Sequence, residues 1–135
     1  MGLALSEGIY CLIIRLFQRH RIKIGCLGTF SFPAGFYVYA GSAQNSLGRR
    51  IERHLRQEKK MHWHIDYLLL HGQVMFVHTY PGEKHMECML SHKIGNIKNA
   101  SIPVKGFGSS DCSCVSHLYF FQDNPDPGIS RLTIR

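Results

Sequence analysis

The strongest hydrophobic signal opens the chain. Ile9, Tyr10, Cys11, Leu12, Ile13 and Ile14 form an apolar run rich in β-branched and aromatic residues, which Arg15 interrupts only near its end. This predicts a buried strand over 8–17. A polar cluster at 18–21 follows. Ile22, Ile24 and Cys26 then alternate with Lys23 and Gly25, the period-two pattern of a half-exposed strand, and the two strands together suggest a hairpin. Phe32-Pro33-Ala34-Gly35 reads as a turn, and 36–40 as a third strand ending at Gly41-Ser42.

The period then lengthens. Leu47, Ile51 and Leu55 recur at four-residue spacing behind Asn45 or Ser46 as N-cap, which predicts an amphipathic helix over 46–57 with basic outer faces. A second helix is predicted from Trp63 to His71, stopped by Gly72, and a strand from Val74 to Thr79. After the Pro81-Gly82 turn, Met86, Leu90, Ile94 and Ile97 mark a third helix from about Glu83 to Asn99, weakened near its end by Gly95. Residues 105–110 read as a loop and 117–121 as a closing strand. The order is βββααβα plus that strand, an α/β (α+β) fold, with one domain over 1–121 and a loosely ordered tail over 122–135 in which Pro125, Pro127 and Gly128 show no periodicity.

Composition narrows the class. A chain of 135 residues with 44% hydrophobic and 11% aromatic residues is globular rather than disordered. Lys+Arg 16 against Asp+Glu 9 gives +7 with His neutral, an excess that favours a polyanionic partner, nucleic acid first. The longest uncharged apolar stretches, Cys11–Ile14 and Tyr67–Leu70, are far below the roughly 18 residues that span a bilayer. Five cysteines, an odd number, and an N-terminus unlike a signal peptide predict a reduced, cytoplasmic protein.

The chemistry-bearing residues fall in ordered blocks. Gly8-Ile9-Tyr10 begins the first strand, Tyr39-Ala40-Gly41 ends the third, and Arg50 and His54 lie on the helix that follows. This set resembles the GIY-YIG nuclease superfamily. With Pro33 to Ser42, Arg50 to Leu55, Trp63-His64-Ile65-Asp66-Tyr67, Glu87-Cys88, Phe107 to Cys112 and His117-Leu118, it looks like the Uri-type endonuclease branch, often filed as a domain of unknown function. The resemblance covers residues 8–121 and implies a small mixed, mainly antiparallel sheet flanked by helices. Two departures stand out: Tyr10 and Tyr39 lie 29 positions apart, where most members of the superfamily keep the pair close across a tight hairpin, and Ala40 stands where Ile or Val is usual. The wide spacing implies an extra strand inserted between them.

The resemblance implies metal-dependent phosphodiester cleavage. Tyr10 would orient or deprotonate the attacking water with Tyr39 in support. Glu87, at i, i+3 and i+7 with Leu90 and Ile94, would hold Mg²⁺ or Mn²⁺. His92 is the nearest alternative further along that helix. Arg50 and His54 are four apart and share a helix face, so an Arg fork for the scissile phosphate and a His for proton relay are expected together. His64 is a further catalytic candidate. Arg49, Arg53, Arg56, Lys59 and Lys60 suit backbone phosphate contacts, DNA being favoured over RNA, by a monomer or homodimer.

Two other readings stay open. The fold can serve as a nucleic-acid-binding module without turnover. Alternatively Cys112-x-Cys114-x-x-His117, with Cys88 or Cys26 as the fourth ligand, marks a zinc-stabilised interaction domain, although its Cys-x-Cys spacing is tighter than in most structural zinc sites and free thiols are the default expectation.

Overall fold

In chain order the elements are β1 (Gly8–Leu16), β2 (His20–Ile24), β3 (Gly28–Phe32), β4 (Gly35–Ala43), α1 (Leu47–Leu55), α2 (His64–Leu69), β5 (Gln73–Tyr80), α3 (Met86–Gly95), β6 (Leu118–Phe121) and α4 (Asp126–Ser130). They are seen in a computed structural model that describes residues 7–110 and 112–133. Four strands form a sheet in the order β5-β1-β4-β6, every pair antiparallel, and β2 and β3 form a separate two-stranded sheet.

Because β1 is central and covered on both faces, it tolerates polarity almost nowhere, and only Arg15 of its interior is exposed. Its alternate residues feed two cores. Tyr10, Leu12, Ile14 and Leu16 pack with Ile22, Ile24, Phe32, Leu47, Ile65 and Leu68, so the small hairpin, α1 and α2 cover one face. Ile9, Cys11 and Ile13 pack with Leu90, Ile94 and Ile129 under α3 and α4 on the other. Among the described residues no helix is long and apolar enough to cross a membrane.

The fold class agrees with the sequence, and four details differ. Four strands, not three, precede α1, because the short Gly28–Phe32 segment pairs along β2. The predicted hairpin of β1 with β2 does not form: β1 pairs with β4 and β5, and β2 turns back on β3. On α1, Leu55 is 52% exposed and His54 takes the buried place beside Leu47. Positions 54 and 55 both continue a stripe begun at 47 and 51, and a polar partner for His54 decides between them. Ser46 holds the N-cap position in a left-handed conformation, φ 53°, with no side-chain cap bond. Finally, where a loose tail is predicted, Asp126–Ser130 form a helix that buries Ile129, and Asp126 Oδ1 lies 2.7 Å from His78 Nε2 of β5.

Docking of α4 makes a clear prediction. Ile129→Ala should lower unfolding stability by about 2–4 kcal/mol, as for other fully buried Ile side chains. Urea denaturation measures it, and a change within the noise would mean that α4 does not pack on the core in solution.

Candidate active site

The β1–β4 register sets the site. Tyr10 pairs with Gly41 and Leu12 with Tyr39, so the tyrosines, 29 positions apart in sequence, become diagonal neighbours on one face. The chain between them is taken up by the β2–β3 hairpin, two strands where one was expected. Gly41 is required by contact, because a Cβ there would lie 2.6 Å from the Tyr10 ring end and hydroxyl. The glycine of the second motif makes room for the tyrosine of the first.

Tyr10 is 1% exposed and its hydroxyl lies 2.7 Å from His54 Nε2. Burial raises the Tyr10 phenol well above its ordinary value, against the pull of the adjacent Arg50 guanidinium. Tyr39 is raised likewise, by burial and by its neighbours Tyr10 and Glu87. His54 moves the other way. Burial, with help from Lys59, Arg50 and Arg53, pushes it down to about 4 against the attraction of Asp66. Near neutral pH the pair is therefore a protonated phenol hydrogen-bonded to a neutral imidazole. His54 Nδ1 has no hydrogen-bond partner among the described residues.

The cationic side of the site is organised around a buried acid. Asp66 receives both arms of Arg53, at 2.9 and 3.0 Å, and the backbone N–H groups of His62 and Trp63 at 2.8 and 2.9 Å. Burial alone would raise its pKa, but these four bonds more than offset that and hold it below the usual carboxylate range. Asp66 thus caps the start of α2 and anchors Arg53 of α1 to it. Trp63 stands between the helices, with the Arg50 and Arg53 guanidinium carbons each 4.4 Å from its ring centroid. Arg50 also donates to the Ser42 carbonyl at 2.8 Å, which aims it at the end of β4.

On α2, His64 Nδ1 accepts a 2.9 Å hydrogen bond from the Gly108 N–H, and burial lowers its pKa. A neutral imidazole that accepts at Nδ1 carries its proton at Nε2. Gly108 has φ +69° and packs against Tyr39, so glycine suits both its backbone and its space. On α3, Glu87 Oε1 accepts a hydrogen bond from Ser42 Oγ, and Oε2 lies 2.7 Å from His117 Nδ1, an ion-pair contact without hydrogen-bond alignment.

These groups meet in one cleft of about 480 Å³, lined by Tyr10, Tyr39, Arg50, His64 and Glu87 together with Ser42, Trp63 and Ser110. Five of the six expected catalytic and metal-binding residues line it, and His54 stands behind Tyr10. His92 is exposed on α3, leaving Glu87 as the acid at the cleft. The basic face is less uniform than its sequence. Arg53 is committed to Asp66, and Lys59 Nζ donates to the carbonyls of Arg53, His54 and Arg56 at the end of α1, whereas Arg49, Arg56 and Lys60 are exposed. Sequence reading assigned no site role to Ser42 or Trp63; their positions inside the Pro33 to Ser42 and Trp63 to Tyr67 blocks were the available signal. Cys112, Cys114 and His117, close in sequence, and the distant Cys88 bring their donor atoms within 4.8 Å of one another beside the cleft. Asp111, within the Phe107 to Cys112 block, lies outside the described residues.

A family model, "Domain of unknown function DUF123", matches residues 9–132. No curated protein and no solved structure matches the chain.

The neutral His54 has a measurable consequence. Its folded pKa lies below the ordinary 6.5, so the unfolded chain binds more protons between pH 6.5 and about 4. The associated stability, on the order of 3 kcal/mol, is present above pH 6.5 and lost as the pH falls to 4. Urea midpoints across that range should decline steeply for the native chain and less for His54→Gln; parallel declines would mean that His54 is not held neutral by the fold. Asp66 contributes in a separate window, below the usual carboxylate range.

Proposed function

The chain belongs to the DUF123 domain family, and we propose that it is a GIY-YIG-type endonuclease hydrolysing phosphodiester bonds in nucleic acid, with DNA the first substrate to test. The observation that carries this reading is the convergence of Tyr10, Tyr39, Arg50, His64 and Glu87 from five different elements on one cleft. Surface residues of a purely structural face have no reason to converge so.

Phosphodiester hydrolysis needs a water deprotonated for attack, neutralised phosphoryl oxygens and a proton for the leaving oxygen. The residues divide along those lines. Tyr10 faces the cleft with its hydroxyl against a neutral His54, so a proton taken from water by the phenol oxygen has an acceptor 2.7 Å away. Arg50, held by the Ser42 carbonyl and the Trp63 ring, presents permanent positive charge where the phosphate would lie. His64, pinned at Nδ1 by Gly108, directs its Nε2–H as a donor for phosphoryl or leaving oxygen. Tyr39 adds a second hydroxyl from the same sheet face.

Glu87 would hold a Mg²⁺ or Mn²⁺ ion. Its carboxylate lines the cleft, and Ser42 and His117 each occupy only one direction at one oxygen, so lone pairs are left for a hard cation that keeps most of its waters. Such an ion, once bound, supplies Lewis-acid polarisation and charge neutralisation at the phosphate. Arg49, Arg56 and Lys60 on the exposed rim of α1 and its following loop would contact flanking phosphates without sequence preference.

Labelled plasmid, single-stranded DNA, branched DNA and a structured RNA should be incubated with the native chain in Mg²⁺, Mn²⁺ or EDTA. Cutting that needs the metal and falls roughly 100-fold or more in each of Tyr10→Phe, Arg50→Ala and Glu87→Gln is expected. Salt-sensitive binding with no cutting under any condition would overturn the reading in favour of a module that binds without turnover.

A further inference from the structure

Cys88 on α3 and Cys112, Cys114 and His117 on the segment leading into β6 form a second cluster, which meets the cleft through the contact of His117 with Glu87. Their donor atoms all lie within 4.8 Å of one another. Measured from His117 Nε2, Cys112 Sγ is 3.5 Å and Cys88 Sγ 3.8 Å distant. A tetrahedral zinc ion, with Zn–S near 2.3 Å and Zn–N near 2.0–2.1 Å, has S–N edges of about 3.6 Å and S–S edges of about 3.8 Å. The two His117–Cys separations match the S–N edge, and a spread of no more than 4.8 Å leaves a small contraction to close around one ion and is too tight to enclose a multi-iron cluster.

The histidine is oriented for that role. Its ring is fully buried, its Nδ1 lies 2.7 Å from the Glu87 carboxylate, and Nε2 faces the thiols. Nδ1 is in close contact with the carboxylate without hydrogen-bond alignment, and a proton placed there leaves the Nε2 lone pair facing the sulfurs; aligning that contact gives the arrangement by which a carboxylate fixes the tautomer of a zinc-ligating histidine. The His117 backbone is held as well, its N–H donating to Phe107 O at 2.8 Å and its carbonyl accepting from Ala40 N at 3.0 Å.

We propose that Cys88, Cys112, Cys114 and His117 bind one zinc ion with Glu87 as its outer carboxylate. Three thiolates and one imidazole favour zinc over magnesium or calcium, which take oxygen ligands. The ion ties the irregular 105–117 segment to α3. That segment carries Gly108, which pins His64, and Ser110 at the cleft wall. Zinc therefore holds two walls of the cleft, and through His117 it orients the carboxylate of Glu87. Only this last consequence rests on the nuclease reading; the ion's presence does not.

The test is made on the untagged 135-residue chain grown with zinc and passed through gel filtration. Close to one equivalent of zinc per chain is expected, with cobalt(II) replacement giving the visible ligand-field bands of a tetrahedral thiolate site. Cys26, exposed and not one of the four clustered donors, should react rapidly with a thiol reagent in the loaded protein, and a strong chelator should make Cys88, Cys112 and Cys114 reactive in addition. Cys26→Ser should keep the zinc and Cys114→Ser should lose it. Glu87→Gln should retain zinc with affinity weakened roughly 10- to 100-fold, as for loss of other outer-shell carboxylates. Substoichiometric zinc, with these three thiols reactive before any chelator is added, would overturn the proposal whether or not the chain cuts nucleic acid. It needs no variant that must fold.

Discussion

The antiparallel register of β1 on β4 is the constraint on which the rest depends. Pairing Tyr10 with Gly41 and Leu12 with Tyr39 puts the two tyrosines on one face, and a slip of β1 by one position would send Tyr10 to the α3 face, away from Tyr39. Burial on both sides of β1 then dictates the layers. One face takes α1, α2 and the β2–β3 hairpin, the other α3 and α4. The cleft opens at the end of this strand pair, where Tyr10 and Gly41 meet and Ser42, next along β4, turns to the opposite face and reaches Glu87.

Electrostatics at the cleft is arranged by burial as much as by charge. Arg53, Asp66 and the first turn of α2 form a satisfied, four-bonded hub in which Asp66 is fully buried. Its function is to set the distance between α1 and α2, and Trp63 fills that space while touching both arginines. Arg50 is thereby positioned, and among the described residues no carboxylate forms an ion pair with it. Burial, with the cationic neighbours adding to it, keeps His54 uncharged, which leaves its Nε2 free to accept the Tyr10 hydrogen bond.

The two metal readings are compatible because they use different atoms of a shared chain of groups. Glu87 joins them, accepting from Ser42 at one oxygen and contacting His117 at the other. A soft, closed thiolate site would give rigidity to a segment with little regular secondary structure, and a hard, open carboxylate site would give chemistry. Neighbouring positions in sequence, Glu87 and Cys88, serve the two.

Local pattern determined much of this protein. The apolar run of β1, the alternation of β2, the helices and the closing strand were legible because burial on one or both faces writes a period into the chain, and the family blocks named the residues that line the cleft. Pairing partners were not legible. Periodicity says which face a residue occupies but not which strand lies alongside, so β3 and the β2–β3 hairpin went unread and β1 was given the wrong neighbour. The same limit hid His54 behind an expected Leu55, hid the inward roles of Arg53 and Lys59, and left α4 as a tail, since each depends on a partner supplied by a distant element. The donor cluster of Cys88, Cys112, Cys114 and His117 is the clearest case. Its local spacing looked poor for a metal, and only the packing of α3 against the segment before β6 brings the fourth donor within reach.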